Sequence, residues 1–178
     1  MTTAAALATA LPFLAAVLGL ACGRKLPAAA RALAVLPLAA AAVLAVWVAV
    51  RHGSGPVTET GTQLTPTGAL DITLSMRVDG LSSLVAAMVA VVALLVQIYS
   101  VGYLRDDPRY SSYAALVSLF SAAMLLVVYT GDLIVLLVGW EVMGICSYFL
   151  IGHYWETEVA RAAAVKAFLV TKLGDVPF

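Results

Sequence analysis

Four ionisable residues stand where an apolar sequence has least reason to hold them: Glu141, Lys166, Lys172 and Asp175. Glu141 lies near the midpoint of the apolar run 133–151, about ten residues and so roughly 15 Å from either end. If that run crosses a bilayer, a charge at such depth costs on the order of 3 kcal/mol. A carboxyl there must stay protonated or pair with a cation, and a group balanced between those states can load and release a proton. The plainer alternative is a protonated glutamate that only hydrogen-bonds a neighbouring helix. Lys172 and Asp175 are three residues apart, so on a helix they share a face and can pair. Lys166 lies about 120 degrees away around the same helix. It is close enough to the membrane surface for its stem to carry the charge back to the headgroups. Lys172, about 20 Å along the axis, is too deep for that. A carboxylate on one helix and a cation–carboxylate pair on the next have the composition of an intramembrane proton relay.

Such residues need apolar helices to hold them, and the chain is built of little else. Of its 178 residues 63% are apolar and 11% charged, against about a quarter charged in a soluble domain. The missing polar skin means that most of the surface meets lipid. Apolar stretches at residues 4–22, 28–50, 81–104, 113–130, 133–151 and 159–178 each approach the roughly 20 residues a bilayer requires. The expected fold is therefore an all-α integral membrane protein of about six transmembrane helices. Pro12 and Pro37 fall inside the first two, where bundle neighbours can satisfy the freed carbonyls and kinks are expected. The first stretch reads as a retained helix rather than a signal peptide, because Arg24 and Lys25 follow it instead of preceding it. Counting Lys and Arg in the short loops sets the orientation. Arg24, Lys25, Arg31, Arg105, Arg109 and Arg161 belong to the odd-numbered loops, and Arg51 and Arg77 to the other side. This puts the N-terminus outside.

The long external loop between helices 2 and 3, residues 51–79, begins with turn formers and ends in strict alternation. Leu70, Ile72, Leu74, Met76 and Val78 are separated by polar residues, the period of a strand with one wet face. Paired with residues 57–65, it makes a short β-hairpin on the outer surface. Asp79 and Asp132 each precede an apolar run and suit helix N-termini. Trp155, Tyr148 and Tyr154 suit an interfacial aromatic belt, whereas Trp140, beside Glu141, is expected to pack within the bundle. Cys22 and Cys146 sit in apolar runs as small hydrophobes, and His52 and His153 fall at helix ends as interfacial residues. Zero net charge gives no electrostatic case for nucleic acid. The chain has no dinucleotide-binding glycine fingerprint, cysteine cluster, paired helical histidines or P-loop, so no cofactor is expected on it.

Three blocks carry a resemblance. Met76-Arg77-Val78-Asp79-Gly80-Leu81-Ser82, Tyr99-Ser100-Val101-Gly102-Tyr103-Leu104 and Gly139-Trp140-Glu141-Val142-Met143-Gly144-Ile145-Cys146-Ser147-Tyr148-Phe149-Leu150-Ile151-Gly152, extended by Lys166-Ala167-Phe168-Leu169-Val170-Thr171-Lys172-Leu173-Gly174-Asp175-Val176, resemble the antiporter-like subunit L of bacterial NADH–quinone oxidoreductase, respiratory complex I. The resemblance divides the chain in three: helices 1 and 2 with the start of the loop (1–68), the family's N-terminal conserved block (69–119), and the start of its proton-translocating core (131–178). It implies a proton-pumping subunit, multi-pass in the bacterial inner (plasma) membrane, partnered by other membrane-arm subunits and the lipid bilayer. NADH, FMN, iron–sulfur clusters and quinone would belong to other subunits, so this chain alone would not be catalytic. Glu141 matches the family's helix-five glutamate, and Lys172 and Asp175 the basic and acidic residues of its sixth helix. There the basic residue is often arginine, so lysine trades a bidentate fork for a group that gives up its proton more readily. Pro177 is a second departure. Family members are several times longer, and the chain reads as an N-terminal fragment ending inside helix six. Two competing readings are the large subunit of a multisubunit cation/proton antiporter or membrane-bound hydrogenase, and a membrane scaffold in which Glu141 only joins helices.

Overall fold

Runs of Ala, Leu and Val with few interruptions leave the backbone no water to bond, so it closes its own hydrogen bonds as helices. The computed structural model describes residues 1–23, 27–53, 55–65 and 72–175. Its order is α1 (Thr2–Cys22), α2 (Pro27–His52), β1 (Thr58–Thr65), β2 (Ile72–Val78), α3 (Gly80–Tyr103), α4 (Tyr110–Tyr129), α5 (Leu133–Ile151) and α6 (Glu158–Asp175). Helices α1 to α5 are long and apolar enough to cross a membrane. The expected sixth crossing is a helix of different character: α6 carries Glu158, Arg161, Lys166, Lys172 and Asp175 within 18 residues. Neither Pro12 nor Pro37 ends its helix. Arg24, Lys25, Leu70, Asp71 and Pro177, on which some of the expectations rest, lie outside the described residues.

Helix α4 is the hub, packing against α1, α2, α3 and α5, while α6 packs chiefly on α5. Small side chains make this possible. Ala5, Ala8, Ala15 and Ala16 of α1 and Ala114, Ala115, Ala122 and Ala123 of α4 are buried, and a Cβ on Gly19 would stand 3.3 Å from that of Ala115. In lipid, where apolar burial drives little, close backbone approach through small residues supplies the contact energy. A polar cluster of Gln97, Ser100 and Ser118 is buried in the α3–α4 seam. Gln97, fully buried, donates to the Ala114 carbonyl at 2.8 Å and the Ser118 hydroxyl at 3.1 Å. Its partners make its burial tolerable.

The strands pair antiparallel, from Thr58 opposite Val78 to Gln63 opposite Thr73, with a register shift before Thr65. Met76 and Val78 are buried against the helices as the alternation requires, but the opposite face is not simply wet. Ser75 is 4% exposed while Leu74 is 40% exposed. The reason is a third layer: Met76 bridges to Thr130, and the Gly131 N–H donates to the Ser75 carbonyl. The Asp132 carboxylate accepts from the Ile134 and Val135 N–H groups as an N-cap, and also from the Thr73 N–H at 2.9 Å. That Thr73 bond, with those of the cap, holds the Asp132 carboxyl below its ordinary range. Asp79 caps α3 in a reciprocal box with Ser82, as its position before the run implied. The N-terminus joins this end through Thr2 and Thr60.

At the opposite end, residues 104–109 meet residues 152–157. His153 bonds Asp107 at 3.0 Å, and Arg109 reaches Glu156 at 2.7 Å. Burial works against the Asp107 carboxylate, but the Arg109 N–H, His153 and the Arg109 guanidinium together hold it below its ordinary range. His52 is 6% exposed and the His153 side chain 10%, so both histidines stand at helix ends yet face inward. Cys146 is buried with a free thiol.

Candidate functional site

Helices α5 and α6 run antiparallel, and their contacts keep one register. Trp140 meets Asp175, Glu141 meets Lys172, Tyr148 meets Phe168 edge-on, and Gly152 lies against Ala164. Glu141 sits eight residues after Leu133 and ten before Ile151, so the register sets Lys172 and Asp175, in the last turn of α6, level with the middle of α5. The Lys172 ammonium donates to Glu141 Oε2. The same Nζ stands 3.8 Å from Asp175 Oδ2 and 5.6 Å from the Phe168 ring centroid. Asp175 in turn accepts the Trp140 indole N–H at 3.0 Å. The cluster is open on its outer flank, with the Glu141 side chain 52% exposed and those of Lys172 and Asp175 26% and 25% exposed.

One ammonium between two carboxylates leaves one negative charge in excess when all three are ionised. In apolar surroundings such an excess attracts a proton or a small cation, and Lys172 can shift its bond between the two acids. The arrangement can therefore hold and pass on a positive charge. Among the described residues no three His, Cys, Asp or Glu side chains gather as metal ligands do.

Three of the four residues singled out from the sequence thus come together. Lys166 does not join them: it lies with Glu158, Arg161, Leu169 and Val170 along an outer groove of α6. Trp140 is a correction. It does not pack in the bundle but lies at its flank, 42% exposed, with its N–H committed to Asp175. Position 140 is 100 degrees from Glu141 on the helix, so a face that shows Glu141 to α6 brings Trp140 alongside it. An apolar groove of about 680 Å³ between α3, α4 and α5 has no carboxylate, lysine, arginine or histidine in its walls. The Asp107–His153 contact and the Asp132–Thr73 link went unpredicted, because both join residues far apart in the chain.

Comparison with known proteins identifies relatives of the chain. Residues 64–114 match the family described as the N-terminus of NADH-ubiquinone oxidoreductase (complex I) chain 5. Residues 130–178 match the NADH:quinone oxidoreductase/Mrp antiporter transmembrane family, and the two matches together cover more than half of the chain. Over 101 residues the chain is 46% identical to F420H2 dehydrogenase subunit L of Methanosarcina mazei, covering 57% of this chain and 15% of that one. Over 109 residues it is 39% identical to NADH-quinone oxidoreductase subunit L of Escherichia coli, covering 61% and 18%. The chain thus spans less than a fifth of the length of these relatives. Among solved structures, the Mrp complex from Dietzia sp. superposes with a TM-score of 0.75 at 29% identity, over 96% of this chain and 18% of that one. The archaeal membrane-bound sulfane sulfur reductase gives 0.79 at 22% identity, over 98% and 35%, a likeness of fold alone.

Proposed function

The chain belongs to the family of antiporter-like membrane subunits common to NADH:quinone oxidoreductases and Mrp antiporters, and from that premise we propose that it is a proton-translocating membrane subunit of an NADH–quinone oxidoreductase. The observation that carries the reading is the Glu141–Lys172–Asp175 cluster level with the middle of α5. Glu141 takes and releases protons, with Lys172 and Asp175 as its charged partners. NADH, FMN, iron–sulfur clusters and quinone are bound by other subunits, and the membrane-arm subunits are the partners. The chain itself transfers no electrons. A tag on this subunit, used to purify it from native membranes, is expected to bring down NADH-dependent quinone reduction, lost when the subunit is deleted. Recovery of other membrane subunits with no flavin or iron–sulfur absorbance would transfer the assignment to a cation/proton antiporter. That second reading is favoured by one observation, the likeness to the Mrp complex along almost the whole chain.

The same reading sets the protein in the plasma membrane with the N-terminus and sheet outside. Arg105, Arg109 and Arg161 gather at the opposite end, and Lys and Arg favour the cytoplasmic side. Thr62, exposed on β1, reports on this. A cysteine placed there should react with a membrane-impermeant maleimide in intact cells, whereas labelling only after the membrane is opened reverses the orientation.

A further inference from the structure

Beyond the three charged residues, and resting on the proton-transfer reading of their site, we propose that Trp140 is a positioning residue. Through its indole N–H on Asp175 it holds Lys172 on Glu141. An indole N–H facing an apolar surround needs a partner, because an unpaired donor in lipid is costly. Trp140 finds it in Asp175 Oδ1 at 3.0 Å. That bond, to an anionic acceptor, is of the stronger, charge-assisted kind. It also fixes where Asp175 points. The other oxygen, Oδ2, stands 3.8 Å from the Lys172 Nζ, near enough to attract it but beyond hydrogen-bond length. Lys172 donates instead to Glu141. The two carboxylates therefore compete for one ammonium, and the indole restrains one of the competitors.

With phenylalanine at position 140 an aromatic ring stays, smaller than the indole, and the N–H goes. Asp175 is then free to rotate and close on Lys172, three residues before it on the same helix face, drawing the ammonium from Glu141. A residue that only packed would produce no such exchange. The distinction is a double-mutant cycle, since coupling between two side chains appears as non-additivity. Trp140→Phe, Asp175→Ala and the double variant are compared in the assembled complex for protons moved per turnover. Trp140→Phe alone is expected to lower that figure about fivefold, and to lower it no further in the Asp175→Ala background. Additive losses overturn the proposal while leaving the role of Glu141 intact. Glu141→Gln is measured alongside. If it transports normally, the proton-transfer reading is lost, and the same cycle read as thermal stability decides whether indole and carboxylate are coupled; additivity there overturns the proposal as well.

Discussion

Replacing Glu141 by glutamine is expected to cut proton transfer by the assembled complex on the order of tenfold or more, with the subunit still inserted and assembled. Glutamine keeps the length and one carbonyl acceptor for Lys172 but cannot bind and release a proton at ordinary pH. The side chain is 52% exposed at the flank of α5, so an isosteric replacement disturbs little packing. The electrostatics change more. Lys172 keeps a single anion, Asp175, now 3.8 Å away, and the pair becomes balanced in charge. With no excess negative charge, the cluster has lost its means of attracting a further proton. Glu141→Asp retains the carboxyl and should retain part of the transfer, because Lys172 has a flexible stem with which to follow it. Proton uptake by proteoliposomes carrying the purified complex, read with a pH-sensitive dye, compares both variants with the unaltered complex. If Glu141 were only glue between helices, the glutamine variant would pump normally and the complex would melt earlier.

The helices and the acid–base cluster were legible in the sequence for the same reason. In an apolar chain each charged residue is costly, so Glu141, Lys172 and Asp175 stand out, and helical geometry alone shows that the last two share a face. The strands were legible in their period of two, with Met76 and Val78 turned to the helices. What could not be read was whatever depends on which helix lies beside which. Asp107 and His153 are 46 positions apart and Thr73 and Asp132 are 59 apart, and nothing local couples them. Ser75 is buried because the α4–α5 connection covers it, which reverses the expected wet face. Trp140 looked like a packing residue until α6 supplied a carboxylate opposite it. The role of Gln97 likewise depends on the Ala114 carbonyl lying across the seam.

Enlarging Gly139 is expected to give the opposite result from changing Glu141: stability falls first, and transport only as a consequence. Gly139 is buried where α5 crosses α4. A Cβ at this position would lie 2.8 Å from Val127 Cγ2 and 3.3 Å from the Ala123 carbonyl oxygen. Val127 is β-branched with few rotamers to retreat into, and the carbonyl belongs to a helix backbone. Gly139→Ala therefore requires a small shift, and Gly139→Leu forces the helices apart, at about 1–3 kcal/mol for overpacking. Gly139 and Glu141 are about 200 degrees apart around α5, so one helix presents its smallest residue to α4 and its acid to α6. Pushing α5 off α4 strains the clasp between Asp107 and His153 and tilts Glu141 relative to its lysine. The expected measurement is a lowered melting midpoint in detergent, modest for alanine and large for leucine, with protons per turnover unchanged for alanine. Should Gly139→Leu melt normally, α4 and α5 do not pack as described. Together the two substitutions separate the faces of α5: Glu141→Gln removes transport and leaves stability, Gly139→Ala lowers stability and leaves transport, and a scaffold would link the two losses.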